Sequence, residues 1–411
     1  MSKLFSKLTL PNGIEIKNRI AKAAMEENLS DYEHTPSEDI FKLYRAWANG
    51  GAGLIITGNV MIDSKAATGP GGIILENDKN LSKFQEWAKI ITAHGAQAWM
   101  QINHPGRQMP KELGQPTIAP SEVALNLGPN SKVFGVPREM TSNEIEDIIK
   151  RFETTARLAE KAGFTGVEIH AAHGYLISQF LSPLSNKRTD QWGGSLENRS
   201  RFLIEVVKAV RSHVSKKFAV AVKLNSADFQ RGGFSPEDAK YVVGLLNDLN
   251  VDLVELSGGS YEAPAMMGKA KDSSTLAREA YFLEFAQDIS SIAKMPLMIT
   301  GGVRRKEVAE HAVTSGVSMV GIATALALNP NLPNDWFNNI DSAPQLIPVT
   351  WKNKPLASMT NMSMVRYQFR KIVKGKKTDS NVTPIKAFVL DLFCRKLKSR
   401  EYRNWIAEKA R

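Results

Sequence analysis

Eight apolar runs, each too short for a helix of ordinary length, recur along this chain, and between them apolar residues repeat at helical spacing. The runs occupy residues 20–25, 54–61, 98–102, 166–169, 218–224, 253–256, 297–300 and 319–323. The segments between them place Ile40, Leu43, Tyr44 and Trp47 on one helical face, and Ile145, Ile148, Ile149, Phe152 and Ala156 on another. Two helix starts are legible: Thr141 caps a helix that begins at Ser142, and Ser235 caps one with Pro236 at its first position. Strands that alternate with helices in this way bury both faces only in a parallel sheet wrapped by helices. A doubly wound open sheet is the rival arrangement. Eight units, with no Gly-x-Gly-x-x-Gly turn after the first strand, favour a closed (β/α)8 TIM barrel.

The additions to the barrel are also visible. Leu8-Thr-Leu-Pro-Asn-Gly-Ile-Glu-Ile reads as a hairpin turning at Asn12-Gly13, placed to plug the barrel floor. Residues 105–140, rich in Pro and Gly, form a long excursion after the third strand, of the kind that often serves as a lid. The barrel is expected over residues 1–341. Residues 342–411 are expected as a basic helical extension with helices at 362–373 and 384–411. Charge follows this division: residues 351–411 hold 16 Lys and Arg against 4 Asp and Glu, and residues 1–350 hold 37 against 38. A basic surface can attract anions, but a solvated helical face or packing on the barrel accounts for it as well. The single cysteine, Cys394, excludes an intrachain disulfide and a cysteine-ligated zinc or iron-sulfur centre. The lysines and serines that break up the first residues, and the lack of any long apolar run, lead to the expectation of a cytoplasmic protein with no stable membrane insertion.

Chemistry concentrates after the fourth run. Gly166-Val-Glu-Ile-His-Ala-Ala-His-Gly-Tyr releases His170, His173 and Tyr175 from a strand end into the next loop, three groups that donate hydrogen bonds when neutral. Such a set polarises a substrate oxygen and supplies a proton. The loop continues Ser182-Pro-Leu-Ser-Asn-Lys-Arg-Thr-Asp-Gln-Trp-Gly-Gly-Ser-Leu-Glu-Asn-Arg. Together these residues resemble the signature of the Old Yellow Enzyme family of FMN-dependent ene reductases, with weaker similarity from about residue 4 to about 340. The resemblance implies a single-domain member that carries FMN, with NADH or NADPH as hydride donor and a small-molecule enone as acceptor. It implies no nucleic acid partner, and a homo-oligomer is compatible with it.

In a barrel the ligand sits at the carboxyl ends of the strands, a ring that here includes Met25, Gly58, Gln101, His104, His170, Lys223, Ser257, Gly301, Gly302 and Gly321. The glycine turns at Gly301-Gly302 and Gly321 leave backbone N–H groups for a phosphate. By the resemblance, Ala23, Ala24 and Met25 run along the flavin edge, Gly58 approaches it closely, Gln101 bonds its pyrimidine, and Lys223 stands beside N1 and O2 where relatives usually have Arg. Thr324 replaces a phosphate-binding Arg, so the phosphate would rest on backbone amides and a hydroxyl, and weaker FMN retention is expected. Glu26 stands near where relatives place Thr or Cys beside O4. His170 and His173 would hold the carbonyl oxygen while Tyr175 protonates the alkene, and no metal is expected. The same site is compatible with NAD(P)H oxidase, quinone or nitro-compound reductase activity. Two rivals from other classes are a flavin-free barrel using Lys223 as a Schiff base, and a basic interaction protein whose barrel no longer catalyses.

Overall fold

The computed structural model describes residues 2–264, 280, 282–409 and 411. Eight parallel strands form its centre: β1 (Ile20–Lys22), β2 (Leu54–Ile56), β3 (Gln97–Asn103), β4 (Gly166–Ala171), β5 (Ala219–Asn225), β6 (Leu253–Ser257), β7 (Leu297–Thr300) and β8 (Met319–Ile322). Each pairs with the next, and β8 pairs with β1 through Val320 opposite Ile20, so the sheet closes as the expected barrel. Helices α1 (Glu38–Asn49), α2 (Leu81–Thr92), α3 (Ser142–Lys161), α4 (Leu196–His213), α5 (Pro236–Leu246), α6 (Leu283–Ser290) and α7 (Lys306–Thr314) surround it. The expected caps are present: Thr141 accepts from the Glu144 N–H and Ser235 from the Asp238 N–H, each in a reciprocal capping box. The first two runs are shorter as barrel strands than as apolar segments: residues 23–25 and 57–59 lie outside the strands, and Val60–Met61 rejoins the sheet as a short strand beside Ile102 and Asn103 at the top of β3.

Side-chain alternation divides the core. Outward residues such as Ile55, Val167, Val222 and Val254 pack under the helices, while Ala21, Leu54, Ile56, Trp99, Ala221, Leu253, Met298 and Met319 fill the lower interior. The hairpin of Leu8–Thr9 and Glu15–Ile16 inserts Leu8, Leu10 and Ile16 into this interior set, as expected of a floor plug. Its turn closes through the Gly13 N–H, which donates to the Leu10 carbonyl at 2.9 Å.

Two long helices follow. Helix α8 (Lys354–Val373) begins two turns before the expected residue 362, because Asn353 caps it with a 3.1 Å bond from the Leu356 N–H and Pro355 sits in its first turn. Its Phe369 meets Trp47 of α1 edge to face at 5.5 Å, so α8 joins the layer of helices around the barrel. Helix α9 (Pro384–Lys409) crosses the loops that follow the first three strands. Lys398 bonds the Ser30 carbonyl, the Tyr402 hydroxyl the Ser64 carbonyl at 2.7 Å, and Arg395 pairs with Glu112 at 2.9 Å. Tyr402 is fully buried against His34, Met61, Met109 and Leu113. Among the described residues no helix is long and apolar enough to cross a membrane.

Candidate active site

A cavity of about 810 Å³ opens at the carboxyl ends of the strands. Its floor holds Gln101, His170, Lys223, Ser257 and Thr300, and one side holds Ala24, Met25 and Glu26. Gly301, Gly302, Arg304, Arg305, Gly321 and Thr324 form another side. The outer wall is contributed by the excursion after β3, through Leu127, Val133 and Phe134, and by the C-terminal residues Leu346, Met362, Arg366 and Phe388. The expected lid is thus real in position, and the basic extension is part of the cavity wall.

His170 and His173 are brought together by local backbone. His170 ends β4 pointing inward, and its Nδ1 accepts from the Ala172 N–H at 3.2 Å, which leaves Nε2 as the proton-bearing atom of the neutral ring. Burial, then the neighbouring His173, then Lys223 push its pKa well below the ordinary value. His173 sits in the left-handed region at φ 61°, a conformation costly for a residue with a Cβ. Two bonds hold it there: its N–H donates to Asn225 Oδ1 at 3.0 Å and its carbonyl accepts from Gln108 Nε2 at 3.0 Å. The turn brings His173 Nε2 to 2.8 Å from Ser257 Oγ and sets the ring 5.0 Å from His170. Burial and then Lys223 keep this ring neutral too. Tyr175 packs edge to face on His170 at 4.9 Å, and its hydroxyl is 2.9 Å from that of Tyr261. Burial, Tyr261 and Glu26 hold the Tyr175 phenol well above the ordinary range, and burial chiefly raises Tyr261 to about 12. Both phenols keep their protons at any working pH.

Other expected residues divide into wall and support. Gln101 donates from Nε2 to Glu168 Oε1 at 2.6 Å, and Lys223 Nζ lies 2.5 Å from Glu255 Oε1. Glu26 faces the cavity and accepts from the Thr68 hydroxyl at 2.5 Å. Ala23 and Gly58 lie behind the wall. Ala23 bonds the Ile322 carbonyl at 3.0 Å, and the close approach at Gly58 is to Met25 and Glu27, where an added Cβ would fall 2.3 and 2.1 Å from their oxygens. His104 is buried away from the cavity, with its Nδ1 accepting from the Gly106 N–H at 3.1 Å. The loop from Ser182 acts as scaffold: Asn186 ties the Phe180 and Trp192 carbonyls at 2.8 Å each, and Arg188 bonds the carbonyls of Pro120 and Met140. Sequence reasoning missed Tyr261, Arg304, Arg305 and Arg366, which lie in turns or on a helix with no pattern to mark them.

The cavity fits a flavin mononucleotide in its donor set. Gly301 and Gly302, at φ 149° and 75°, offer backbone without side chains after β7, and Arg304 and Arg305 follow at once. Asn28 Oδ1 and Asn59 Oδ1 on the wall are buried without a hydrogen-bond partner, places where ligand donors belong. Residues 3–341 match the model of the NADH:flavin oxidoreductase / NADH oxidase family.

The chain belongs to that family.

It is 40% identical over 351 residues to the NADH-dependent flavin oxidoreductase iliE of Hypocrea jecorina (strain QM6a), a match that covers 79% of this chain and 86% of that protein. Among solved structures it resembles the old yellow enzyme homologue from Zymomonas mobilis, at 27% identity and TM-score 0.73 over 84% of this chain and 95% of the other. It also resembles a 2-naphthoyl-CoA reductase in complex with 2-naphthoyl-CoA, at 28% identity and TM-score 0.76, covering 83% of this chain and 54% of that one. Members of the family are flavin-dependent NADH oxidoreductases, so FMN is the cofactor and NAD(P)H its reductant. The match to the family model stops at residue 341, before α8 and α9.

Proposed function

We propose that this protein is a cytoplasmic ene reductase that uses NADH to reduce the activated C=C bond of an α,β-unsaturated carbonyl compound. One observation carries this reading: His170, His173 and Tyr175 converge on one wall of the cavity, ring against ring, beside Gln101 and Lys223. The name of the iliE relative favours NADH as reductant, and the 2-naphthoyl-CoA reductase is a neighbour whose ligand is a conjugated carbonyl compound.

Ala24, Met25, Gln101, Lys223, Gly301, Gly302, Gly321 and Thr324 would hold FMN, with Ala23 and Gly58 shaping the backbone behind them. Bound FMN supplies hydride acceptance and donation. The protein residues do the rest. Neutral His170 and His173 bind the substrate oxygen and draw electron density from the alkene, and they do this without a titratable charge of their own. Tyr175 gives its proton to the α-carbon, and Tyr261, hydrogen-bonded to it, is placed to stabilise the phenolate that forms. The outer wall of Phe134, Leu346, Met362 and Phe388 excludes water and suits an apolar acceptor.

The test separates the half-reactions. In Tyr175→Phe, stopped-flow should show unchanged flavin reduction by NADH and reoxidation by an enone slowed about a hundredfold or more. Quinone and nitro acceptors, which take protons from water, should be less affected. Equal loss with every acceptor would make Tyr175 structural and remove the ene reductase assignment.

A further inference from the structure

Three ionisable groups inside the barrel are not used by the chemistry at Tyr175. Glu168, Lys223 and Glu255 project inward from the adjacent strands β4, β5 and β6, and their exposures are 0%, 3% and 0%. Lys223 pairs with Glu255 at 2.5 Å, while Glu168 takes the Gln101 amide on Oε1 and leaves Oε2 without a partner. Two carboxyls therefore share one ammonium in a dry interior floored by Trp99, Ala221 and Leu253. From β1, Lys22 points to the outer side and is engaged by Glu27, Tyr44 and the Ile56 carbonyl. From above, His170 and His173 add no charge, since burial keeps both rings neutral. Thr300 reaches Glu255 from β7 and is not titratable.

Charge counting then decides the protonation state. With both carboxyls ionised the interior would carry an uncompensated negative charge, a costly condition at low dielectric. One proton is retained, and it belongs on Glu168, whose burial and proximity to Glu255 push it well above the ordinary range. Glu255 goes the other way: against burial, the Lys223 ammonium beside it holds it below its ordinary value.

We propose that Glu168 and Glu255 are positioning residues that act through Lys223 as a proton store beneath the flavin, holding one proton at rest and two when negative charge is added on the cavity side of Lys223. This rests on the FMN reading above, in which Lys223 and Gln101 are the members of the cluster that face the ring. The step balances. Hydride from NADH brings two electrons and one proton and adds one negative charge; a solvent proton then forms one O–H bond on the Glu255 carboxylate, and it returns to solvent when the acceptor removes the hydride. The lysine is part of the device. An arginine at this position could grip Glu255 with two parallel N–H bonds and hold it ionised, whereas a single ammonium leaves the carboxylate able to accept the proton.

Two measurements test this. The first is the infrared difference between parent and variant in flavin-free protein, read at the carbonyl band of protonated carboxyls. Neutrality requires that either single variant, Glu168→Gln or Glu255→Gln, leave one acid against one ammonium, so the band should vanish in both. Survival of the band in either variant, or its absence from the parent, overturns the shared proton. The second is proton uptake, followed with an indicator dye during NADH reduction of the FMN-loaded enzyme. The parent should take one solvent proton per flavin and the double variant Glu168→Gln/Glu255→Gln none. No uptake by the parent, or full uptake by the double variant, overturns the store, and a merely structural role would move neither number. A protein with the infrared band that fails to bind FMN would contradict the flavin reading rather than the shared proton.

Discussion

His170 and His173 are held by the site as neutral hydrogen-bond donors. An imidazole in water takes a proton near pH 6.5, but burial holds both rings well below that value here. The sign of the stability effect follows: as pH falls below 6.5 the unfolded histidines bind protons that the folded ones refuse, so each group lowers stability on acidification until pH reaches its depressed folded value. Binding of a neutral phenol to the oxygen site should nevertheless be flat between pH 7 and pH 6, since neither donor titrates there. A phenol affinity that changes tenfold in either direction over this interval would show that one ring titrates there. These histidines, with Tyr175, Gln101 and Lys223, were legible because a barrel puts strand ends into one ring. Tyr261 was not, because nothing in Gly258-Gly-Ser-Tyr marks which side of the turn will meet Tyr175. Glu168 and Glu255 were visible as acids within apolar runs, but their pairing is a matter of register between β4, β5 and β6. Gly58 was expected beside the flavin by the resemblance alone, and the contacts that require a glycine there are to Met25 and Glu27.

At the scale of elements, the last two helices depend on one carboxylate. Asp391 of α9 accepts from Arg366 Nε at 3.0 Å and Nη2 at 2.5 Å, from Arg370 at 2.8 Å and from Ser363 at 3.0 Å, all on α8. Burial opposes its charge, but the two guanidiniums hold it well below the ordinary carboxylate range. Its contribution is therefore complete above the ordinary Asp value and fades only as pH falls through the depressed one. Asp391→Asn leaves Arg366 and Arg370 without a counter-charge at a buried site, a change that typically costs about 3–5 kcal/mol. Hydrogen exchange should show α9 losing protection while β3 to β6 keep theirs. Uniform loss across the barrel would mean that the helix pair is not an independently opening unit. The amphipathic pattern made α9 legible as a helix, but its apolar residues serve two faces: Phe388 and Tyr402 turn inward, while Ile385, Val389, Phe393 and Leu397 stay exposed. A helix with two such faces does not reveal from sequence what it lies across.

The whole molecule was the most legible level, because eight alternations leave few ways to bury both faces of each strand. What the alternation could not specify is how the barrel is closed at its ends. Below, Leu8, Leu10 and Ile16 complete an interior that Ala21, Ala219 and Ala221 leave underfilled. Leu10→Ala should cost about 2–5 kcal/mol in denaturant unfolding, the range for a buried leucine whose cavity cannot collapse. A cost under 1 kcal/mol would show the hairpin to be a loosely held arm. Above, α9 lies over loops from the first three strands, and this closure has a consequence for the order of events during synthesis. Every barrel strand is translated before residue 354, so a nascent barrel emerges from the ribosome with the part of its outer wall that α8 and α9 contribute still unmade. For that interval the bowl is covered only from the side of the excursion after β3, and Met362, Arg366 and Phe388, which narrow what can enter, arrive after the part that holds it.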